Sequence, residues 1–332
     1  MTRSYCCYFD HRYLPRGLAM IRSLRRFEPE AEVWVLCLSS TAHRELCRSG
    51  EIGVRLVTLE EIETGDESLL RAKTDGRSLV EYYFTLTPSL VRYVMARTSA
   101  NIVSYLDSDL YFFSSPQPIY DEMGASSVLI IPHGFVAAMR RQERFGRYNV
   151  GWLSFRNDTS GRACLEWWRD RSNEWCSDVV DEVGKRYCEQ RYLDRFAEIS
   201  SGVHVLSHPG ANLAPWNVAA HKLDLVIGKP LVDGLPLLFF HFHGLHRVGA
   251  RRFFAIHWEY GGAMTRLMRT HLYRPYLAEL LSIEREIKDF SGPSDILRAP
   301  GMQRGGGLMA KLRALMRLAR AWRAGCVISV SG

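Results

Sequence analysis

The sequence predicts a mixed, mainly parallel α/β sheet flanked by helices, with a C-terminal helical extension. Three observations carry this. The first 60 residues alternate strand and helix. An acidic pair follows directly on a buried strand. Beyond Phe290 the composition turns to chain breakers and then to a basic helix. At 332 residues the chain has room for one large domain, or for one domain with an extension. The division expected is 1–255 for the sheet domain, 256–295 for a helical extension and 296–332 for a basic amphipathic tail.

Ser4–Phe9 reads as a strand. Pro15–Phe27 reads as a helix, with Pro15 in its first turn and Leu18, Ile21 and Leu24 at helical spacing. Glu32–Leu38 is a buried strand, Thr41–Arg48 a helix and Gly53–Leu59 a strand. This alternation marks a parallel sheet covered on both faces. Residues 78–96 read as helical, with Pro88 expected to break or kink the segment. Asn101–Leu106, Ser127–Pro132 and Val150–Phe155 are further strands. Leu165–Trp175 and Gly184–Phe196 are expected helices. Val203–Ser207 and Leu237–Phe242 are late strands, and residues 256–289 are mostly helical. Ser291-Gly292-Pro293-Ser294 and Ala299-Pro300-Gly301 are breakers, Gly305-Gly306-Gly307 a hinge, and Leu308–Ala324 returns to helix.

Composition narrows the function class. The chain is 47% hydrophobic and 24% charged, as in ordinary globular proteins. No apolar run approaches the roughly 20 residues of a transmembrane helix. The amino-terminal residues run straight into a strand, without a signal-like apolar core. None of the eight cysteines forms a C-x-x-C pair, so buried free thiols in a reducing compartment are expected. There are 43 Lys+Arg against 36 Asp+Glu, and seven of the cations follow the last acidic residue, Asp295. Residues 1–295 are therefore formally neutral. That excludes a generally basic nucleic-acid-binding body and points to a localised basic device.

Tyr105-Leu106-Asp107-Ser108-Asp109 is the sharpest local signal. Ligands of open α/β sheets bind beyond the carboxyl ends of the strands. Two aspartates there can share a divalent cation, and oxygen ligands suit Mg²⁺ or Mn²⁺. A surface turn with a capping aspartate is the plainer alternative. His241 and His243, in Phe240-His241-Phe242-His243-Gly244-Leu245-His246-Arg247, share one face of a late strand. An imidazole beside two carboxylates suits Mn²⁺. Arg247 is a candidate phosphate ligand.

Taken in order, these motifs resemble those of GT-A fold glycosyltransferases, most closely the retaining family 8 group (glycogenin and bacterial lipopolysaccharide galactosyl- and glucosyltransferases). The resemblance covers roughly residues 4–250. Phe9-Asp10-His11-Arg12-Tyr13 is similar to the family's Asp-x-Asn-Tyr, which implies that Asp10 binds the base and Tyr13 stacks on it. Arg12 stands where the family has Asn. Tyr83 and Arg92-Tyr93 precede the acidic strand, and Arg92 is the matching candidate for the donor diphosphate. Tyr105–Asp109 is similar to Tyr-Leu-Asp-x-Asp, which implies that Asp107 and Asp109 ligate the metal and that Asp107 lies near the donor ribose. Tyr148-Asn149-Val150-Gly151 is similar to Phe-Asn-Ser-Gly, with Asn149 on the donor sugar or acceptor. Glu189-Gln190-Arg191-Tyr192-Leu193 is similar to Asp-Gln-x-x-Leu, with Glu189 and Gln190 at the transferred sugar. His241-Phe242-His243-Gly244 with Arg247 is similar to His-Phe-x-Gly-x-x-Lys, with His241 as third metal ligand and Arg247 in place of the diphosphate-binding lysine.

The resemblance implies retaining, Mn²⁺-dependent (or Mg²⁺-dependent) transfer of a sugar from a nucleoside diphosphate donor, UDP-linked, to an acceptor hydroxyl. The acceptor would be a cell-surface glycan or lipid-linked saccharide, as in lipopolysaccharide biosynthesis. Two readings compete: a nucleotidyltransferase, for which Tyr8–Arg16 lacks the glycine-rich phosphate loop, and a nucleotide-sugar-binding protein with a non-catalytic or scaffold role.

In the tail, Leu308, Met309, Leu312, Leu315, Met316, Ala319 and Trp322 fall in one arc at about 100° per residue. Arg313, Arg317 and Arg320 lie away from it, while Arg323 falls inside it. This pattern predicts a helix lying on an anionic membrane surface, at the cytoplasmic face of the plasma membrane. A helix docked on the domain or on a second subunit is the alternative.

Overall fold

A computed structural model describes residues 2–287 and 308–330. The breakers at 291–294 and 299–301, the glycine run at 305–307 and the expected boundary at 295/296 lie outside the described residues. The central sheet has seven strands: β1 (Arg3–Phe9), β2 (Glu32–Cys37), β3 (Val54–Thr58), β4 (Ile102–Leu106), β6 (Val128–Pro132), β7 (Tyr148–Arg156) and β8 (Val203–Val205), with β5 (Leu110–Phe112) standing apart. Their spatial order is β3-β2-β1-β4-β7-β6-β8. Neighbours are parallel except at β7, which runs against both β4 and β6. This is the mixed, mainly parallel sheet that the strand–helix alternation predicts.

Helices cover both faces, because β1, β2 and β4 are apolar on both sides. One face carries α1 (Leu14–Arg25), whose Leu14, Leu18, Ile21 and Leu24 enter the larger core. Gly17 lies so close to β1 that a Cβ there would come within 2.2 Å of the Phe9 ring. The opposite face carries α5 (Leu79–Met95) and α7 (Thr159–Glu174); α2 (Ser40–Ser49), α3 (Leu59–Glu63), α4 (Glu67–Thr74) and α6 (Gln117–Met123) link the strands.

Pro88 does not break α5, which is continuous from Leu79 to Met95. The helix starts in a Ser78–Glu81 capping box and buries Leu86, Pro88, Leu90, Val91 and Val94. That packing outweighs the roughly 3 kcal/mol cost of an interior proline. The expected helix over 184–196 is a hairpin-like turn, then a 3₁₀ segment at Gln190–Arg195 and a short α8 (Phe196–Ile199). Lys185 and Cys188 have positive φ (50° and 44°), which no continuous helix accommodates.

The late segment is more β-rich than expected. β9 (Leu223–Val226), β10 (Lys229–Val232) and β11 (Leu235–Pro236) form a meander. β12 (Phe239–His241) pairs antiparallel with β5. β13 (His246–Gly249), β14 (Arg252–Phe254) and β15 (Val327–Ser329) form a third small sheet. The helical content expected over 256–289 begins as a 3₁₀ turn at His257–Tyr260 and reaches α9 (Arg274–Glu286), which packs against α1.

The tail helix α10 (Leu308–Arg323) is docked on the domain. Ala321 is buried, Arg317 pairs with Glu259, and β15 adds to β14. The docked side carries Leu318 and Ala321. The opposite side leaves Leu315, Met316 and Trp322 exposed, at 59%, 55% and 73%. Among the described residues, no helix is long and apolar enough to cross a membrane.

Candidate active site

The carboxyl ends of β1, β2, β4 and β6, with the start of β7, surround a cavity of about 640 Å³. Its wall includes Asp10 and Tyr13 after β1, Leu38 after β2, Asp107 and Asp109 after β4, and His133 after β6. Because β7 is antiparallel, its first residues arrive at the same edge. A register shift opposite Ile130 and Ile131 bulges β7 there and turns Asn149 and Val150 into the cavity.

Asp107, Asp109 and His241 form the floor. The pairing of β12 with β5 sets His241 opposite Leu110, directly beyond Asp109. The His241 Nε2 atom lies 3.0 Å from Asp109 Oδ1 and 3.7 Å from Asp107 Oδ2. One ligand atom from each residue lies within 4.8 Å of the others. Backbone bonds fix the frame: Asp107 N–H donates to the Gly151 carbonyl (3.0 Å) and Phe242 N–H to the Asp109 carbonyl (2.9 Å). Tyr105 donates its hydroxyl to Asp107 Oδ1 (2.9 Å).

The electrostatics reflect crowding. Desolvation pushes the Asp107 carboxyl up to about 6, with the Asp109 charge adding to it and His241 opposing it. Desolvation would raise Asp109 too, but the imidazole beside it more than reverses this and holds it low. Burial alone would lower His241; the Asp109 carboxylate overrides that and holds it above its ordinary value. The His241 Nδ1 atom is buried without a hydrogen-bond partner. Two recessed carboxylates and an imidazole within ligand distance of a common centre fit a divalent cation such as Mn²⁺ or Mg²⁺.

Beside the floor, Asn149, Glu189 and Gln190 line one wall. Asn149 Nδ2 and the Val150 N–H both donate to Gln190 Oε1 (3.3 Å each), and Gln190 Nε2 donates to the Phe145 carbonyl (2.8 Å). Gly151 has no room for a side chain: a Cβ would stand 2.5 Å from Asn149 Oδ1 and 2.9 Å from His241 Cε1. Glu189 is buried, its Oε2 has no partner, and burial pushes its carboxyl well above the usual range. Asp10 lines the rim but also caps the turn before α1, its Oδ1 accepting from the N–H groups of Arg12 (2.9 Å) and Tyr13 (3.2 Å). Tyr13 stands beside it, 40% exposed.

Two expected site residues are not in this cavity. Tyr83 lines it, but Arg92 follows nine residues later on α5, about 180° around a helix of 3.6 residues per turn. Arg92 instead pairs with Glu166 (2.6 Å) in a separate cleft. Arg247 is buried in β13, and its guanidinium bonds both Glu284 oxygens (2.7 Å each) and the Gly249 carbonyl (3.0 Å). The extension helix α9 supplies that carboxylate, which no motif in the strand announces.

Arg16 is a cation that sequence reading missed. It is buried on α1, 3.5 Å from Asp109 Oδ2, and donates to the Leu245 carbonyl (2.6 Å). Its guanidinium sits over the Tyr13 ring at 4.9 Å. The signal available was its place in the first turn of the helix that opens at the cavity, six residues after Asp10. His133 was also missed. It is buried, stacks on Phe135 and lies 3.3 Å from Asn149 Nδ2.

No protein-family model matches the chain. Among solved structures it is similar to the galactosyltransferase LgtC in complex with donor and acceptor sugar analogs, with TM-score 0.46 and 17% identity over 73% of this chain and 87% of that one. It is also similar to the glycosyltransferase GlyE of Streptococcus pneumoniae TIGR4, with TM-score 0.46 and 15% identity over 86% and 64%. Two relatives from Bacillus subtilis (strain 168) are 32% identical. The uncharacterized protein YfnF aligns over 266 residues, 77% of this chain and 86% of its own, and the uncharacterized protein YfnD over 265 residues, 79% and 84%. With that identity over that much of both relatives, the chain belongs to the family of YfnF and YfnD.

Proposed function

We propose that this chain transfers a glycosyl group from a nucleoside diphosphate sugar, UDP-linked, to the hydroxyl of a cell-surface glycan or lipid-linked saccharide. The observation that carries the proposal is the cluster of Asp107, Asp109 and His241 on the floor of a cavity at the carboxyl edge of the sheet. The motif order from Asp10 to His241 supports the same reading. A divalent cation held by these three residues would neutralise the donor diphosphate and the charge that develops on the leaving group.

The chain's own residues take the remaining roles. Asp10 and Tyr13 stand at the rim, suited to holding the base, and Asp107 to meeting the ribose. Asn149, Glu189 and Gln190 form a polar wall suited to orienting the transferred sugar. Glu189, whose carboxyl burial pushes well above the usual range, is suited to meeting that sugar as a hydrogen-bond donor. Arg16 is the cation nearest the floor that this reading leaves beside the diphosphate, in place of Arg92 and Arg247. Retention, with the acceptor arriving on the leaving-group side, requires no dedicated base on the protein.

The proposal extends to the site of action. The exposed side of α10 carries Leu315, Met316 and Trp322 next to Arg320 and Arg323. This supports contact with an anionic lipid surface at the cytoplasmic face of the membrane. Co-sedimentation with anionic vesicles, reduced by Trp322→Glu and absent with zwitterionic vesicles, is the expected behaviour; equal binding to both would remove this extension.

The central test is UDP release from a panel of UDP-sugars, with and without Mn²⁺. Release from one donor, lost on chelation and in Asp109→Ala, is expected. UDP binding without release from any donor would favour the non-catalytic reading.

A further inference from the structure

The segment between α7 and Gln190 carries two cysteines twelve positions apart, and the fold returns one to the other. The Cys188 N–H donates to the Ser177 carbonyl (2.8 Å), and Asp181 and Arg186 exchange two backbone hydrogen bonds (2.9 and 3.0 Å). Residues 177–187 are thus a hairpin with Cys176 and Cys188 at its base. Both are 3% exposed. Cys188 has φ of +44°, a conformation that non-glycine residues seldom hold unless their surroundings enforce it.

The thiols interact. The neighbouring Cys188 thiol holds Cys176 below the usual thiol value, with Thr85 and Arg77 adding to the effect. The neighbouring Cys176, with burial, pushes Cys188 up. Cys188 also lines the cavity, immediately before Glu189. Of the remaining cysteines, Cys6, Cys7, Cys37, Cys164 and Cys326 are buried and raised by desolvation. Cys47 is exposed on α2.

We propose that Cys176 and Cys188 form a redox modification site, closed to an intramolecular disulfide by a small-molecule disulfide that enters through the cavity. In the first exchange the Cys188 sulfur attacks the incoming disulfide. Its S–S bond breaks, a mixed disulfide forms on Cys188, and the departing thiolate takes up the proton that Cys188 sheds. In the second exchange the Cys176 sulfur attacks Cys188, and a second small thiol leaves with the Cys176 proton. Two protein thiols are oxidised and one small disulfide is reduced to two thiols. Cys188 is the entry point because it lines the cavity, and Cys176 is the resolving sulfur because the hairpin base returns Cys188 to it. The bond would tie the hairpin base to the residue preceding Glu189 and Gln190. Its formation depends only on the two thiols and the cavity, whatever the cavity binds.

The test treats the folded full-length protein with oxidised glutathione, then blocks free thiols in denaturant and maps the peptides without reduction. The expected result is a Cys176–Cys188 linked peptide, reversed by dithiothreitol. Cys176→Ala, lacking the resolving sulfur, is expected to stop at a glutathione adduct on Cys188. Modification confined to Cys47, or a lasting adduct on wild-type Cys188 without the linked peptide, would overturn the proposal. The wild-type map decides the matter even if the variant fails to fold.

Discussion

His241 and Arg247 are six residues apart and both buried, yet they sit in opposite electrostatic settings. On the cavity floor, two carboxylates crowd one imidazole, Asp107 is pushed up to about 6, and His241 Nδ1 has no partner. At the interface of β13 and α9, a guanidinium fork meets both oxygens of Glu284 at 2.7 Å. The second region is a closed ion pair whose charges are spent on each other. The first sets two carboxylates side by side at a cavity wall, where His241 and Arg16 hold Asp109 low while Asp107 stays raised, an arrangement that gains by binding a cation. Buried charge alone therefore does not mark a site; two carboxylates held close together at a cavity wall do.

Removing one partner on each side separates the two regions. Arg247→Ala leaves Glu284 buried and unpaired, and should cost about 3–5 kcal/mol of stability in denaturant melts. Restoring a neutral partner with Glu284→Gln in the same chain should recover part of that loss. Asp109→Ala should lower Mn²⁺-dependent UDP release by ~10²–10³-fold, the usual range for removing one group that stabilises charge in the transition state. Gly151→Ala should fall between wild type and Asp109→Ala in the same assay, because its Cβ meets Asn149 and His241.

Glu189→Gln should part from wild type with pH. A carboxyl whose folded pKa is raised contributes fully below its unfolded value near 4.3 and loses that contribution as pH rises toward the folded value. The melting temperature of Glu189→Gln should therefore gain on wild type as pH rises from about 4 to about 8, and a constant difference would contradict a raised Glu189 carboxyl. The smallest effect is expected at the surface pair. Arg92→Ala should change stability by less than about 1 kcal/mol, because Arg92 and Glu166 are both well exposed.

What the sequence disclosed follows from how each residue is carried. Asp107 and Asp109 follow the end of a parallel strand, which delivers them to the carboxyl edge whatever the details of packing, and Asn149 joins them because β7 runs antiparallel. His241 was legible for the same reason, although its strand has three residues instead of the expected six. Arg92 was misplaced because a helix turns, so proximity in sequence to Tyr83 does not fix its side. Arg247 was misplaced because its partner lies 37 residues on, in a helix whose packing leaves no local pattern. Arg16 went unread because a basic residue in a first helical turn looks like any solvated cation. The helix expected from Gly184 overlaps the hairpin over 177–187, whose return depends on positive φ at Lys185 and Cys188, neither of them glycine. In the tail, the apolar arc was legible, but the docking of the opposite face through Ala321 and Arg317 required the fold.

The most direct test of the central claim is Mn²⁺ binding by the folded protein, followed by electron paramagnetic resonance with and without UDP. The account predicts one saturable site, tightened by UDP, lost in Asp109→Ala and retained in Arg92→Ala. Equal Mn²⁺ binding by wild type and Asp109→Ala would contradict it.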